Sequence, residues 1–258
     1  DLETEKNALD IWIEKNYLYP YNLDFKYRME DIESSLSNNL VPIDYDLAIQ
    51  MARIVKHVWF EAYDEIGGIS FTRMYAPKVI HLIGSRQWNP NGTITLGYAE
   101  GGLKVTLVGG NWLDPTDIPD MNEMYFKTMH HEFGHILHQT RPYSTDFNAV
   151  TPSSYVGDAC FDTYRTDAAA RQAGFITRYS SKAPDEDFVE QLSLYVTSTA
   201  AEWEAILAQG GSAGRPLLEQ KNDIMRAYML STWDINIDEL RKVVLRRQNE
   251  IWSLDYNI

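Results

Sequence analysis

The spacing of apolar residues changes twice along the chain, near residue 78 and near residue 120. In the first zone the stretch DYDLAIQMARIVKHVWFEAY carries apolar residues every three or four positions, which predicts a helix with Asp44 or Asp46 as its N-cap. Its apolar face is predicted to comprise Leu47, Met51, Ile54, Val55 and Val58. We expect this helix to serve packing.

The second zone is rich in β-branched residues. The runs KVIHLIGS, TITLGYAE and LKVTLVGG are separated by NPNG and EGG, two clusters that favour turns. They predict three strands of one sheet, with antiparallel pairing as the favoured arrangement.

From residue 119 onward the pattern is mostly helical and ends in NIDELRKVVLRRQNEIW, where Asn236 and Glu239 have the spacing of a capping box. The three zones together predict an α+β fold in a single domain over residues 1–258. Residues 1–119 would form a lobe with the N-terminal helix and a mixed sheet, and residues 120–258 would form a helical lobe.

The stretch FKTMHHEFGHILHQT, residues 126–140, holds four of the six histidines. It falls in a helix predicted over residues 120–139, with Asp120 as its N-cap. The apolar stripe of this helix is predicted to be Met121, Tyr125, Met129, Phe133 and Ile136. That stripe would anchor the helix in the core.

His131 and His135 lie four residues apart on a neighbouring face, so that they can share one metal ion. Glu132 lies between them, and HEFGH therefore has the form H-E-x-x-H, in which the glutamate acts as a general base. A catalytic zinc site normally has three protein ligands and one position for water. The sequence must supply a third ligand.

His138 is one candidate for that ligand, but on a straight helix it lies about 10 Å along the axis from His131. The position ten residues after His131, which a ligand reached through a glycine turn would occupy, holds Arg141. We therefore expect His138 to lie near the metal without binding it. The stretch YSSKAPDEDFVEQLSLYV offers Glu186 and Glu190 instead.

Pro184 begins a predicted helix in that stretch, and Glu186 and Glu190 share one of its faces. One glutamate can coordinate the metal while the other holds a ligand histidine through its second ring nitrogen. Apolar neighbours such as Phe188 and Leu192 favour burial of this acidic pair over a solvated face.

Composition limits the function. With 258 residues and 44% hydrophobic content the chain can bury a substantial core. The net charge of −14 would repel nucleic-acid phosphates, so a nucleic-acid partner is not expected. The single cysteine, Cys160, excludes an internal disulfide framework, and no apolar run reaches the roughly 18 residues that span a bilayer. The first residue is Asp1, and a removed leader is one expectation.

HEFGH followed by EDFVE resembles the zincin metallopeptidases whose third ligand is a glutamate, including the anthrax lethal factor type and the Mlc titration factor type. The resemblance implies a zincin-like fold and assigns the ligand role to Glu186. It leaves Glu190 as the partner of a ligand and makes Tyr179, seven residues before Glu186, a catalytic tyrosine. Val189 stands where those families have alanine, which is a small departure.

More closely, HHEFGHILHQT with its surroundings is similar to a family of zinc-binding metallopeptidases, the substrate import-associated zinc metallohydrolase lipoproteins of Bacteroidetes. The resemblance runs from about residue 45 to the C-terminus. It implies an outer-membrane lipoprotein on the periplasmic or cell-surface side, working beside a TonB-dependent importer and its surface lipoprotein. The lipidated cysteine of such an anchor is not among these 258 residues, so the location is implied by resemblance alone.

The expected function is zinc-dependent hydrolysis of peptide bonds. Zn²⁺ would be held by His131, His135 and Glu186, with Glu132 as general base toward a zinc-bound water. Tyr179 would donate to the developing oxyanion. A strand edge, in TITLGYAE or in LKVTLVGG, would pair with an extended peptide.

Two alternatives stay open. One is a non-catalytic, zinc-containing lipoprotein that holds a peptide or glycan for the importer, and Glu132 argues against it because such a protein needs no general base. The other is hydrolysis of a non-peptide amide, which nothing in the sequence excludes.

Overall fold

The computed structural model describes residues 5–29, 40–88, 94–95, 97–100 and 104–258. The chain divides into two compact units, Asp1–Ile136 with Arg246–Ile258, and Leu137–Leu245. The predicted lobes of residues 1–119 and 120–258 stay a prediction, since compactness alone does not define a folding domain.

The first unit contains helices and all the described strands. Its α-helices are Ala8–Ile13, Tyr19–Tyr21, Tyr45–Val55, Glu61–Gly67, Ile69–Tyr75, Ile118–Met121 and the first ten residues of Lys127–Thr140. Its π-helical turns are Glu14–Leu18, Lys56–Phe60 and Asn122–Phe126, and its 3₁₀ turns are Gly110–Trp112 and Ile251–Ser253.

The helix predicted in the first zone is confirmed as Tyr45–Val55, with Asp44 at the N-cap position, although the Asp44 side chain makes no capping hydrogen bond. On the predicted face Met51, Ile54, Val55 and Val58 are buried, while Leu47 is half-buried. The face serves packing, as expected.

Six strands are described: β1 Asp24–Lys26, β2 Val79–Leu82, β3 Gln87–Trp88, β4 Ile94–Thr95, β5 Gly97–Glu100 and β6 Lys104–Leu107. Four of them form one sheet in the order β1-β2-β6-β5, and β3 pairs with β4 in a separate two-stranded sheet. A mainly helical chain with a small mixed sheet confirms the predicted α+β class.

The expected antiparallel pairing is wrong for one of the two pairings among the three predicted runs and right for the other. β1 pairs parallel to β2 and β2 pairs parallel to β6, with Val79 opposite Lys104 and Leu82 opposite Leu107. β5 and β6 are antiparallel as expected, and so are β3 and β4 in the separate two-stranded sheet. The parallel pairing of β2 with β6 agrees with burial of both faces of these strands. His81 and Thr106 are buried like their apolar neighbours, which is typical of parallel strands.

This order also corrects the expected peptide-binding edge. β6, from LKVTLVGG, is paired on both sides by β2 and β5 and has no edge to offer. β5, from TITLGYAE, is at the end of the described sheet. The predicted turns NPNG and EGG fall largely on residues 89–93 and 101–103, which lie outside the described residues.

The second unit consists of helices joined by loops, and no strand is described in it. Its α-helices are Asp146–Val150, Cys160–Thr163, Asp167–Gln172, Pro184–Thr197, Ala200–Gln209, Gly211–Trp233 and most of Ile237–Gln248, and its 3₁₀ turns are Gly157–Ala159 and Tyr179–Lys182. Asn236 caps the last helix through its side-chain Oδ1, which accepts from the backbone N–H groups of Asp238 and Glu239. In the described parts of the chain, no helix is both long and apolar enough to cross a bilayer.

Candidate metal centre

The histidine-rich segment lies in the helix Lys127–Thr140, here named the motif helix. It continues a helical run through Ile118–Met121 and Asn122–Phe126. The capping residue is Asp117 and not Asp120 as predicted, because the Asp117 carboxylate accepts from the backbone N–H of Asp120 at 3.0 Å. Proline is tolerated in a first helical turn, so Pro119 lets the helix begin before the predicted cap.

The predicted apolar stripe of this run is confirmed, since all five of its side chains are buried. Phe133 packs edge-on against Tyr63, with ring centroids 4.5 Å apart, and lies 6.0 Å from the ring of Phe71. The hydroxyl of Tyr125 donates to the carbonyl of Gly109, just beyond β6, at 2.6 Å. These contacts fix the rotation of the motif helix about its axis.

His130 belongs to this packing. Its ring is 1% exposed, and its Nδ1 lies 3.0 Å from the hydroxyl of Tyr63. Burial lowers the pKa of His130 to about 3, so the ring is neutral at pH 7 and one nitrogen can accept a hydrogen bond. His130 is therefore a core residue.

With that rotation fixed, His131 and His135 share the neighbouring face. Their ring centroids are 4.9 Å apart and the ring planes stand at 80° to each other. Both side chains are half-buried, while Glu132 is 5% exposed. The motif thus combines two accessible imidazoles with a carboxylate that is largely shielded from water.

Glu186 lies in the first turn of the helix Pro184–Thr197, here named the Glu186 helix. Pro184 is at its start, as predicted, and Asp185, Glu186 and Asp187 fill the turn in which negative charge favours the helix dipole. Phe188 and Leu192 are fully buried, whereas Glu186 and Glu190 are half-buried. The acidic pair is thus only partly buried, although it is not on a fully solvated face.

Tyr143, in the segment that follows the motif helix, contacts the first turn of the Glu186 helix. Its ring stacks on Phe188, with centroids 4.3 Å apart and planes 6° from parallel. Its hydroxyl donates to Asp185 Oδ1 at 2.5 Å. Burial and the hydrogen bond to Asp185 raise the pKa of Tyr143 well above its ordinary value, so it stays a protonated donor at neutral pH.

Glu190 accepts a hydrogen bond from Thr177 Oγ1 at 2.9 Å. Tyr179 lies in the 3₁₀ turn Tyr179–Lys182, where its ring is nearly parallel to that of Phe161 at 6.2 Å. The ammonium of Lys182 is 5.6 Å from the Tyr179 ring centroid. The roles predicted for Glu190, as the partner of a ligand, and for Tyr179, as an oxyanion donor, stay predictions.

Among the described residues, one group of histidine and carboxylate side chains has ligand atoms close enough to hold a metal ion. It consists of His131, His135 and Glu186, whose ligand atoms all lie within 4.8 Å of one another. All three are half-buried. Two imidazole nitrogens and one carboxylate oxygen are a donor set that suits a catalytic zinc ion with one position open to water. The residues present therefore fit zinc.

His138 is not in that group. It is 7% exposed, and its ring centroid lies 5.6 Å from that of Tyr143 and 6.3 Å from that of Phe188. These edge contacts place it in the aromatic packing of the second unit.

Comparison with known proteins also points to zinc. Residues 2–238 match the family described as "Putative zinc-binding metallo-peptidase". The chain belongs to this zinc-binding metallopeptidase family. The family match spans both the motif helix and the Glu186 helix, and it confirms the stated resemblance to zinc-binding metallopeptidases.

A solved structure gives the same relationship. The chain is 49% identical to a "putative zinc-binding metallo-peptidase" from Bacteroides caccae ATCC 43185, with a TM-score of 0.88. The match covers 100% of this chain and 98% of the Bacteroides caccae chain. No curated protein matches.

Sequence reasoning missed one buried ion pair beside Glu186. Asp187 Oδ2 lies 2.7 Å from the ammonium of Lys221, and both side chains are 0% exposed. Burial raises the pKa of Asp187 and lowers that of Lys221. The available signal was Lys221 itself, a lysine at an apolar-stripe position between Leu218 and Met225 in the helix Gly211–Trp233.

Proposed function

We propose that this protein is a zinc-dependent peptidase. The observation that carries the proposal is the convergence of His131, His135 and Glu186, with ligand atoms within 4.8 Å of one another, in a member of a zinc-binding metallopeptidase family. The H-E-x-x-H spacing and the glutamate ligand support a zincin-like architecture of the gluzincin type.

His131, His135 and Glu186 would hold the zinc ion. When bound, zinc lowers the pKa of a coordinated water toward 7 and polarises a carbonyl group. The chain's own contribution begins with Glu132, which follows His131 on the same helix. Its low exposure keeps bulk water from competing for its carboxylate.

Glu132 acts as general base and then as general acid. Its carboxylate accepts the proton of the attacking water, and the resulting carboxyl group donates that proton to the nitrogen of the leaving amine. The peptide C–N bond breaks as the amine is protonated, and the net reaction consumes one water. Glu132 returns to its ionised form after each turnover.

Tyr179 would donate its hydroxyl hydrogen to the carbonyl oxygen as negative charge develops on it. Support comes from its spacing of seven residues before Glu186 and from its fixed setting against Phe161. Glu190 would accept a hydrogen bond from the ring N–H of a ligand histidine whose other nitrogen binds the metal, and so orient that ring.

A peptide is the substrate class we favour. The end position of β5 in the described part of its sheet supports this choice, because an edge strand can pair with an extended backbone whatever its side chains. Side-chain preference and the choice between peptides and other amides are decided by experiment.

The test is a metal titration joined to a digestion. The chelated protein is reconstituted with zinc, its metal content is measured, and apo and zinc-loaded forms are incubated with a diverse peptide mixture for mass spectrometry. We expect about one zinc per chain and new peptide termini only with zinc. No bound zinc after reconstitution would refute the metal centre. Bound zinc without cleavage of peptides or other amides would favour a non-catalytic binding protein.

We also propose that the protein works at the outer membrane beside a TonB-dependent importer and its surface lipoprotein. The support is the resemblance of HHEFGHILHQT and its surroundings to import-associated lipoproteins. Fractionation of the source cells tests this: recovery with the outer membrane is expected, and recovery with the cytosol would contradict it.

A further inference from the structure

The segment from Gly174 to Asp187 contains two residues of the proposed centre, Tyr179 and Glu186. Both of its ends are bound by one side chain. The ammonium of Lys221 donates to the carbonyl oxygen of Gly174 at 2.7 Å and to Asp187 Oδ2 at 2.7 Å. A single cation therefore closes this segment into a loop.

The surroundings hold that cation firmly in place. The ammonium of Lys221 lies 4.3 Å from the ring centroid of Phe175, and the rings of Tyr155 and Phe147 are at 5.8 and 5.9 Å. The hydroxyl of Tyr155 donates to Asp187 Oδ2 at 2.8 Å, so that this oxygen has two donors. The ammonium thus meets two oxygens and aromatic faces, a setting that favours a localised cation.

Stability alone is a poor explanation for this pair. Removing two charges from water is costly, and Asp187 Oδ1 is buried without a hydrogen-bond partner. Buried ion pairs can often be replaced by apolar residues of similar volume without loss of stability. A role in fixing geometry fits the observed position better, because Asp187 directly follows Glu186.

We propose that Lys221, together with Tyr155, is a positioning residue for the catalytic centre, setting the places of Tyr179 and Glu186 at once by closing the loop Gly174–Asp187. This inference rests on the proposed function. Loss of the Lys221 contacts with Gly174 and Asp187 would let the loop shift as a whole. The zinc carboxylate ligand and the oxyanion donor would then be misplaced together.

The main test removes the pair without leaving a buried charge, in the double variant Lys221→Met with Asp187→Leu. Its melting temperature should stay close to that of the wild type, whereas its zinc Kd should rise by about 10-fold or more, the effect expected when support of a ligand is lost. With zinc saturating, kcat should fall by about 10-fold and KM should change little, since misplaced groups weaken the transition state.

The matched control is an exposed ion pair of the same unit, Arg215 with Glu204, in which Arg215 Nη1 lies 2.6 Å from Glu204 Oε1. Replacing both by glutamine should leave zinc Kd and kcat as in the wild type. A folded Lys221→Met, Asp187→Leu variant with wild-type zinc Kd and kcat would overturn the proposal.

A milder variant decides the matter should the double variant fail to fold. Tyr155→Phe removes one donor to Asp187 and leaves the ion pair intact, and it should raise the zinc Kd by about 3-fold, in keeping with one lost buried hydrogen bond. Wild-type zinc affinity in folded Tyr155→Phe would then overturn the proposal. Wild-type protein and Glu186→Ala are titrated alongside: if neither binds zinc, the proposed function itself has failed.

Discussion

The hydroxyl of Tyr63 lies 3.0 Å from Nδ1 of His130, the residue directly before His131. Both side chains are buried, and the His130 ring is neutral because burial lowers its pKa to about 3. The pair joins the helix Glu61–Gly67 to the motif helix. It therefore helps to fix the rotation of the motif helix, and with it the direction of the face that carries His131 and His135.

Tyr63→Phe should therefore lower stability. The change leaves a buried ring nitrogen without its partner, and we expect the free energy of unfolding to fall by about 1–3 kcal/mol, measured by urea denaturation at pH 7. Tyr19→Phe is the control, because Tyr19 is 62% exposed and its change should cost less than about 0.5 kcal/mol. Equal stability of the two variants would show that the Tyr63–His130 contact contributes nothing.

Replacing the candidate ligands should rank them. Glu186→Ala should weaken zinc binding most, because it removes one of the three donors that converge. Glu190→Ala should weaken it by about 10- to 100-fold, the effect of losing a partner that orients a ligand. His138→Ala should have the smallest effect, since its ring packs against Tyr143 and lies outside the donor group. Zinc Kd values from competition with a chelator measure the ranking.

Loss of zinc from His138→Ala with retention in Glu186→Ala would mean that the third ligand is misassigned. The same variants allow a second readout, because a ligand that binds only the folded state stabilises it. Zinc should raise the melting temperature of the wild type and of His138→Ala, and it should raise that of Glu186→Ala much less.

Much of the candidate centre could be predicted because its signals are local. The spacing of His131 and His135 and the burial of the stripe that includes Phe133 follow from the helical period, and Pro184 marks a helix start from sequence alone. The choice between Glu186 and Glu190 required a family resemblance, because helical periodicity does not distinguish two glutamates on the same face of a helix.

Features that depend on distant pairing were not predictable. β2 and β6 are parallel, and the β-branched composition of the two runs does not encode the direction of their pairing. Lys221 and Asp187 are 34 residues apart, so neither sequence position indicates the other. The error at the N-cap has a local cause: Asp117 and Asp120 are both competent caps, and only the tolerance of a first turn for Pro119 separates them.

Tyr179→Phe tests the proposed oxyanion donor. It removes one hydroxyl from a ring that packs beside Phe161, so folding and zinc content should persist. We expect kcat to fall by about 10²-fold with little change in KM, the signature of an interaction made in the transition state. The control is Tyr164→Phe, a tyrosine of the same unit that contacts Phe175. Full activity with a lowered melting temperature would remove Tyr179 from the mechanism.

Peptide cleavage by the wild type and by Glu132→Gln, each loaded with zinc and normalised to its metal content, tests the central claim most directly. The change keeps the three candidate ligands and removes the general base. We predict one zinc per chain in both proteins and a loss of about 10²- to 10⁴-fold in kcat for the variant. Equal cleavage by the two proteins would contradict the mechanism, and absence of zinc from both would contradict the metal centre on which it depends.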